Sequence, residues 1–469
     1  MNLNQTLQEK YPHLEVSVFS YSKVKEHLIF GSEFNSNTRE NAIQSIVSNK
    51  NVNDYFELIN TNVSTLKEFI YIYDLTHSLG NFMIDVEPTQ EIGSNKKEAI
   101  KGDFVISRLR SYLKEMAVIQ SKNFKQLLST EYLVYRPKTN LLSSNTLLAF
   151  SLSRIVQTIL NYSQYGTEHP RFYEFVFNEM PIPKCLLLMN AEIDSIMNKA
   201  YEVLEQSKIF YKKAEETLYL ELGLDPKNPL QSLLDSKTNI PTNSLNISIR
   251  TLKESFLKTG RLDSEYYQSK YEDIEKMIRS YKDGFCNLKD LVNDISSGFA
   301  FSSDDYQDVG ELVLIRINNI KNATLDLSNV IYLKNEAYNL SPKDKIKKGD
   351  ILISMSGSIG LSCVVRDDIS AMVNQRILKI SIKNFNSDVL VLLLNSFICK
   401  MQFERIGTGG VQTNLSSIDM QNILIPKIDS TTQEKIAKYI QESFNLRKKS
   451  KQLLDNAKNK VEEQIQGKT

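Results

Sequence analysis

None of the 469 residues is tryptophan, and only four are histidine and four cysteine. The histidines, His13, His27, His77 and His169, are scattered and unpaired. They support neither a histidine-rich metal centre nor a catalytic triad. Cys185, Cys286, Cys363 and Cys399 lie far apart and form no C-x-x-C pair, so neither a zinc site nor a disulfide framework is indicated and a reduced, cytoplasmic setting is expected. The longest apolar run, Val389 to Leu394, is far short of the roughly 20 residues a membrane-spanning helix needs. The first residues, MNLNQTLQEK, lack the basic start and apolar core of a signal peptide. Charge of either sign is not in excess, with 57 Lys and Arg against 56 Asp and Glu. That argues against a freestanding, strongly basic nucleic-acid binder but leaves room for local basic faces. No G-x-x-x-x-G-K-[ST] phosphate loop, no G-x-G-x-x-G between a strand and a helix, and no Asn-Pro-Pro-aromatic tetrapeptide of amino-methyltransferases occurs.

What is present is a large internal repeat. Lys347 to Gly360, KKGDILISMSGSIG, reads as a charged turn feeding a strand that opens into a small-residue loop, and Lys101 to Ser107, KGDFVIS, is a near copy. Asp103 and Asp350 are 247 residues apart; Ser32-Glu33-Phe34 answers Ser264-Glu265-Tyr266 at 232, and Met180 to Lys184 answers Ile423 to Lys427 at 243. A unit of this size means two similar domains in tandem and not a solenoid, in line with the two to four domains that the length suggests. With 41% hydrophobic and 24% charged residues, each can bury an ordinary core.

Both halves present the same order of elements. The first has an alternating segment from Val16, a helical run from Thr38 to Val47, strands at Glu68–Asp74, the KGDFVIS strand and Glu131–Tyr135, and a helix from Thr146 to Tyr162. The second has strands at Val309–Ile317, Ile351–Met355 and Arg376–Ile382 and a helix from Asp388 to Met401. A glycine-bearing loop follows each helix, Tyr165-Gly166-Thr167 and Gly407-Thr408-Gly409-Gly410. The expected fold class is mixed α/β. After each Pro-Lys landmark a long amphipathic helix is expected. Ile436, Ile440, Ser443, Phe444, Leu446, Ser450, Leu454, Ala457, Val461 and Ile465 share one face, and Ile193, Met197, Ala200, Tyr201, Val203, Ser207, Tyr211, Ala214 and Leu218 share the corresponding one. Two such matched helices favour a coiled coil over two separate domain covers. The expected boundaries are a first domain at 1–184, its helix at 185–223, a linker rich in Pro, Asn and Ser at 224–248, a second domain at 249–427 and its helix at 428–469.

Catalysis finds little support. Asp103 and Asp350 follow Gly at a strand entrance, where turn residues are the usual occupants, and Gly357-Ser358-Ile359-Gly360 reads as a tight turn. Polar and basic residues on the loops remain. In the second half these are Arg316, Asn318, Asn319, Lys321, Ser356, Ser358, Asn374, Gln375, Arg376, Gln412 and Asn414; in the first, Arg108, Arg110, Tyr112, Lys114, His169 and Arg171. Arg can pair with guanine, and Asn or Gln with adenine, through two hydrogen bonds in the major groove. Taken singly, each is equally well a solvated charge or a satisfied turn residue. As a cluster they are candidates for reading bases.

The order K-G-D-I-L-I-S, N-Q-R-I, G-T-G-G-V-Q-T-N-L, I-L-I-P and Q-E-K-I-A, leading into a Lys-rich helix, resembles the specificity subunits of type I restriction-modification systems. The resemblance extends over nearly the whole chain. It implies two target-recognition domains separated by two long antiparallel helices, a two-part double-stranded DNA target with one part per domain, and no catalytic activity in this chain. It further implies two methyltransferase subunits docked on the helices, with Lys448, Lys449 and Lys451 as candidate partner-binding residues, and endonuclease/translocase subunits. S-adenosylmethionine, ATP and magnesium would then be held by those partners. The first half departs from the pattern, having Ser129-Thr130-Glu131-Tyr132 where the second has Asn374 to Ile377 and Gly166 to Phe172 where the second has Gly407 to Leu415. Two domains reading different sequences would diverge in this way. The competing readings are a specificity subunit of a two-subunit enzyme whose partner both methylates and cuts, a nuclease with a dispersed carboxylate site, and a coiled-coil scaffold with no DNA role.

Overall fold

A computed structural model describes residues 3–14, 16, 18–25, 27–235, 249–407 and 414–467. The chain divides into two compact units, one of residues 1–205 with 446–469 and one of residues 206–445. In the first, helix α1 (Asn37–Gln44) precedes strands β1 (Phe56–Ile59), β2 (Ile70–Tyr73), β3 (Lys96–Ala99), β4 (Phe104–Ser107), β5 (Met116–Val118), β6 (Lys125–Ser129) and β7 (Tyr132–Pro137). Helices α2 (Ser144–Ser151) and α3 (Arg154–Asn161) follow, and then α4 (Lys184–Glu221). One antiparallel sheet has the order β1-β7-β4-β5; the other pairs β2 with β6 in parallel and adds β3 antiparallel to β6. The alternating segment from Val16 forms no strand among the described residues.

The second unit takes α4 from residue 206 onward, then α5 (Pro229–Asp235) and α6 (Ser269–Arg279), followed by β8 (Val292–Ser296), β9 (Leu312–Ile315), β10 (Ile331–Leu333), β11 (Ile351–Ser354), β12 (Ser362–Val364), β13 (Ala371–Val373) and β14 (Ile377–Ile382). Helices α7 (Ser387–Asn395), α8 (Phe397–Ile406) and α9 (Ser430–Gln466) complete the order, α9 passing into the first unit from residue 446. Its main sheet, β8-β14-β11-β12, has the topology of β1-β7-β4-β5, and β9 pairs with β13 in parallel as β2 does with β6. The third strand differs, since β10 joins β9 whereas β3 joins β6. The stretch expected to be a linker contains α5, with Leu224 and Leu233 buried in the core of the unit; residues 236–248 lie outside the described residues.

The organising strands are buried on both faces. Phe104 and Ile106 pack towards α2, α3 and α4, while Val105 meets the second sheet. Ile351, Ile353 and Leu352 do the same in the second unit. Each such side chain contributes about 1.5–3 kcal/mol by leaving water. Entry to each strand depends on its turn. Gly102 and Gly349 adopt φ of 91° and 93°, and the following Asp103 and Asp350 accept the backbone N–H of Ile100 (2.9 Å) and Lys347 (2.8 Å). Both aspartates are therefore turn residues, and Asp103 also holds the Arg136 guanidinium in two hydrogen bonds. Burial raises the Asp350 carboxyl above its usual range.

The single helix expected after the last strand of each repeat is two helices, broken at Ser153 and Ser396. Each serine has extended backbone at the N-cap of the second helix, and they are 243 residues apart. The long helices bury the faces the sequence predicts, with Ser207, Ser443, Ser450 and Ala200 all at 1% exposure or less. Within the first unit Ser450 donates to the Ala200 carbonyl at 2.7 Å and Lys460 pairs with Glu192, so α4 and α9 run antiparallel there. Within the second, Ser443 donates to the Ser207 carbonyl at 2.7 Å and Thr432 lies against Glu221, again antiparallel. The two serine pairs are one heptad apart on each helix. A side-chain hydroxyl bonded to the backbone of the opposite helix requires close approach, which only small residues allow.

Candidate nucleic-acid interface

In the second unit the loops at the ends of β9, β11 and β13 enclose an open groove of about 710 Å³. It is lined by Arg316, Asn318, Lys321, Ser356, Ser358, Asn374, Gln375 and Arg376, eight of the second-half candidates, together with Ile317, Ile320, Ser354, Gly357 and Leu361. The floor is a short helical turn at Ile317–Asn319. Asn319 is 2% exposed; its Oδ1 accepts the Arg316 N–H and its Nδ2 donates to the carbonyls of Asp326 and Asn329. Both ends of that amide are committed to holding the turn, so Asn319 supports the groove from beneath and exposes no side-chain group on it. The half-buried Arg316 lies beside it, and its Nε has no hydrogen-bond partner among the described residues.

The turn between β13 and β14 forms one lip. Asn374 N–H donates to Ile315 (2.9 Å), Gln375 N–H to Phe299 (2.9 Å) and Met355 N–H to Arg376 (2.9 Å), so the turn is tied to three neighbouring segments. Arg376 has a left-handed φ of 72°, and its exposed guanidinium donates from Nη1 to Asn414 Oδ1 at 2.8 Å. Gly298, at φ 75°, lies directly against the Asn374 carbonyl, where a Cβ would be 2.0 Å from the oxygen. The fully buried Asp344 accepts the Gly298 N–H at 3.1 Å and a hydrogen bond from Ser341 Oγ. Ser356 is buried and forms an antiparallel bridge with Asn414, whereas Ser358, Asn318 and Lys321 are exposed. Gln412 lies outside the described residues.

The corresponding corner of the first unit is closed by ion pairs. Glu131 accepts Arg171 through Nε (3.0 Å) and Nη2 (2.8 Å), and Arg108 Nη2 lies 3.5 Å from the same carboxylate. The Arg171 hydrogen bonds hold the Glu131 carboxyl below its usual range. Arg171 also donates from Nη1 to the His169 carbonyl, so its guanidinium is engaged on every side. Arg108 and Arg171 are thus tied back by a carboxylate. Arg110 is more open; it has φ 49° and donates from Nη2 to His169 Nδ1 at 2.8 Å, which places the proton of a neutral His169 ring on Nε2. Tyr112 is exposed. Lys114, at φ 55°, has its pKa lowered by desolvation and by Lys458.

Lys448, Lys449 and Lys451 are exposed around the buried Ser450 on α9. Three contributors escaped the sequence reading: Glu131, Gly298 and Asp344. Glu131 sits in the stretch that aligns with Asn374 to Ile377, and that was its available signal; nothing local marked the other two. No group of three or more His, Cys, Asp or Glu that could hold a metal ion occurs among the described residues, and burial pushes the Cys363 and Cys399 thiols up to about 12. No helix is long and apolar enough to cross a membrane among the described residues.

Residues 284–457, which include this groove, match the family described as type I restriction modification DNA specificity domain. The chain is similar to the type I restriction enzyme EcoBI specificity subunit of Escherichia coli, with 25% identity over 195 residues, 40% of this chain and 41% of that protein. The match thus spans less than half of that relative. Similar solved structures include the type I restriction-modification system S subunit from M. genitalium, at 12% identity and TM-score 0.41, covering 89% of this chain and 95% of that one. Another is the HsdS subunit from Thermoanaerobacter tengcongensis, at 15% identity and TM-score 0.28, covering 87% and 95%. The similarity to the type I restriction modification DNA specificity domain family thus lies in residues 284–457, the second repeat.

Proposed function

We propose that this chain is the sequence-specific DNA-recognition subunit of a type I restriction-modification complex and carries no catalytic activity of its own. Each unit binds one part of a bipartite double-stranded target, and the chain directs partner subunits to methylate the target, at adenine, or to restrict it. The observation that carries this reading is the polar groove of the second unit, built from loops of a segment that matches a DNA specificity domain. Its lining supplies Arg, Asn, Gln and Lys, the side chains that read base edges and neutralise phosphates. The near-neutral net charge fits a chain whose partners supply much of the phosphate neutralisation. Two methyltransferase subunits and the restriction subunits are the expected partners, working in the cytoplasm, with S-adenosylmethionine, ATP and magnesium held by them.

The test is methylation mapping with the complex recovered from its native host through a tag on the full-length chain. A two-part methylated sequence is expected. Cleavage or methylation of DNA by the isolated chain supplied with magnesium and S-adenosylmethionine would refute a non-catalytic role. Charge reversal of the exposed Lys448, Lys449 and Lys451 is expected to reduce recovery of the methyltransferase with the tagged chain while leaving the methylated sequence unchanged. Full recovery would remove these lysines from the partner surface.

A further inference from the structure

One pair of positions is held alike in both repeats but filled with different chemistry. In the second unit Met355 N–H donates to Arg376 O at 2.9 Å, Leu415 N–H donates to Met355 O at 2.8 Å, and Ser356 bridges Asn414. In the first unit Arg108 N–H donates to Glu131 O at 3.0 Å, Phe172 N–H donates to Arg108 O at 3.1 Å, and Leu109 bridges Arg171. Met355 and Arg108 are 247 residues apart, the interval that separates Asp350 from Asp103. Glu131 and Arg171 therefore occupy the places of Arg376 and Asn414.

The side chains at these places differ in what they leave open. Arg171 spends Nε and Nη2 on Glu131 and Nη1 on the His169 carbonyl, so its fork is closed. Arg376 spends Nη1 on Asn414 Oδ1, and among the described residues its Nε and Nη2 have no partner. Those two N–H groups form one straight edge of the planar guanidinium. The Asn414 contact fixes the rotation of that plane at the lip of the groove.

We propose that Arg376 is a specificity-determining residue of the second unit that reads a guanine through its Nε–Nη2 edge, with Asn414 as the residue that aims it. This rests on the DNA-recognition reading. Guanine presents two acceptors, N7 and O6, on its major-groove edge, which match two parallel N–H donors, whereas adenine puts an amino donor in place of O6. The closed Glu131–Arg171 pair positions its loop and does not read. Base choice in the first unit then falls to other side chains, Arg110 among them.

The experiment is site selection by the full-length chain, in the complex recovered from its native host, from a pool of duplexes with randomised positions. The wild type should fix one G·C pair in one half-site. Arg376→Ala should lose about 5- to 150-fold of the discrimination at that pair, with every other selected position unchanged. Arg376→Lys should not restore it, since an ammonium lacks the fork. Asn414→Ala should keep guanine as the preferred base with weaker discrimination. Arg376 is exposed, so the Ala variant should retain the wild-type thermal midpoint, which separates lost readout from lost structure. Unchanged selection by Arg376→Ala, or full rescue by Lys, overturns the proposal. A wild-type complex that selects no sequence overturns the DNA-recognition reading itself.

Discussion

Replacing Gly298 with alanine should damage the second unit severely at a position with no side chain to lose. Gly298 has φ 75°, and a Cβ there would stand 2.0 Å from the Asn374 carbonyl oxygen and 2.6 Å from its carbon. The obstacle is backbone, and it cannot retreat freely. Asn374 N–H is bonded to Ile315, Gln375 N–H to Phe299, and Phe299 N–H to Val373. A left-handed alanine costs about 1–2 kcal/mol. Forcing the loop aside costs about 1–3 kcal/mol by analogy with overpacked cores, and one of the three backbone bonds lost adds about 1 kcal/mol. The sum, about 3–6 kcal/mol, is a large share of the roughly 5–15 kcal/mol that holds a domain folded. Hydrogen–deuterium exchange on the full-length chain would report it, with faster exchange expected in peptides spanning 295–300 and 371–378 and unchanged exchange across β4 and β7. Gly80→Ala is the control, because nothing lies within 4 Å of its Cβ position. If Gly298→Ala unfolds within about 0.5 kcal/mol of wild type, the size expected of a neutral surface change, and exchanges identically, the reasoning about the clamped turn is wrong.

Two further outcomes test other parts of the structure. Ser450→Ala removes a buried hydrogen bond to the Ala200 carbonyl and should cost about 0.5–1.5 kcal/mol in urea unfolding, whereas Ser450→Leu must separate the helices and should cost at least about 1–3 kcal/mol; equal effects would mean that the helices do not approach closely there. Glu131, held below the ordinary carboxyl range by Arg171, contributes stability that is present above its unfolded pKa and is lost as pH falls through its folded value. Glu131→Gln should therefore destabilise at neutral pH and flatten this part of the acid dependence, which thermal melts between pH 7 and pH 3 would reveal; an unchanged acid profile would remove the pair as a stabilising element.

Much of the scaffold was legible because it rests on local chemistry or on periodicity. The K-G-D turns needed a residue that tolerates positive φ followed by a side chain that caps the turn, and both are visible in seven letters. The helix faces followed from the spacing of Ile436, Ser443, Ser450 and Ala457 alone. The breaks at Ser153 and Ser396 were missed because the apolar pattern continues across them; a serine with extended backbone interrupts a helix without interrupting its hydrophobicity. The site was less legible for a different reason. Asn319 and Asn318 are adjacent and alike in type, yet one is buried beneath the groove and the other is exposed on it, a distinction made by carbonyls of Asp326 and Asn329 further along the chain. Arg171 reads as an available cation until Glu131 is found against it, 40 residues away.

At the corresponding corners the two halves diverge in residue type where the same backbone bonds hold them. Arg376 and Glu131 are fixed by bonds from the backbone N–H of Met355 and Arg108, and Leu415 and Phe172 by bonds to the carbonyls of the same two residues. A backbone hydrogen bond asks nothing of the side chain it anchors. The scaffold can therefore carry an arginine with an open edge in one unit and a carboxylate that closes on its neighbours in the other while keeping the corresponding backbone bonds. Sequence similarity can fall away at these positions because the bonds that hold them do not depend on side-chain identity. Under the proposed function, in which each unit binds its own part of a bipartite target, such positions are the ones free to change specificity.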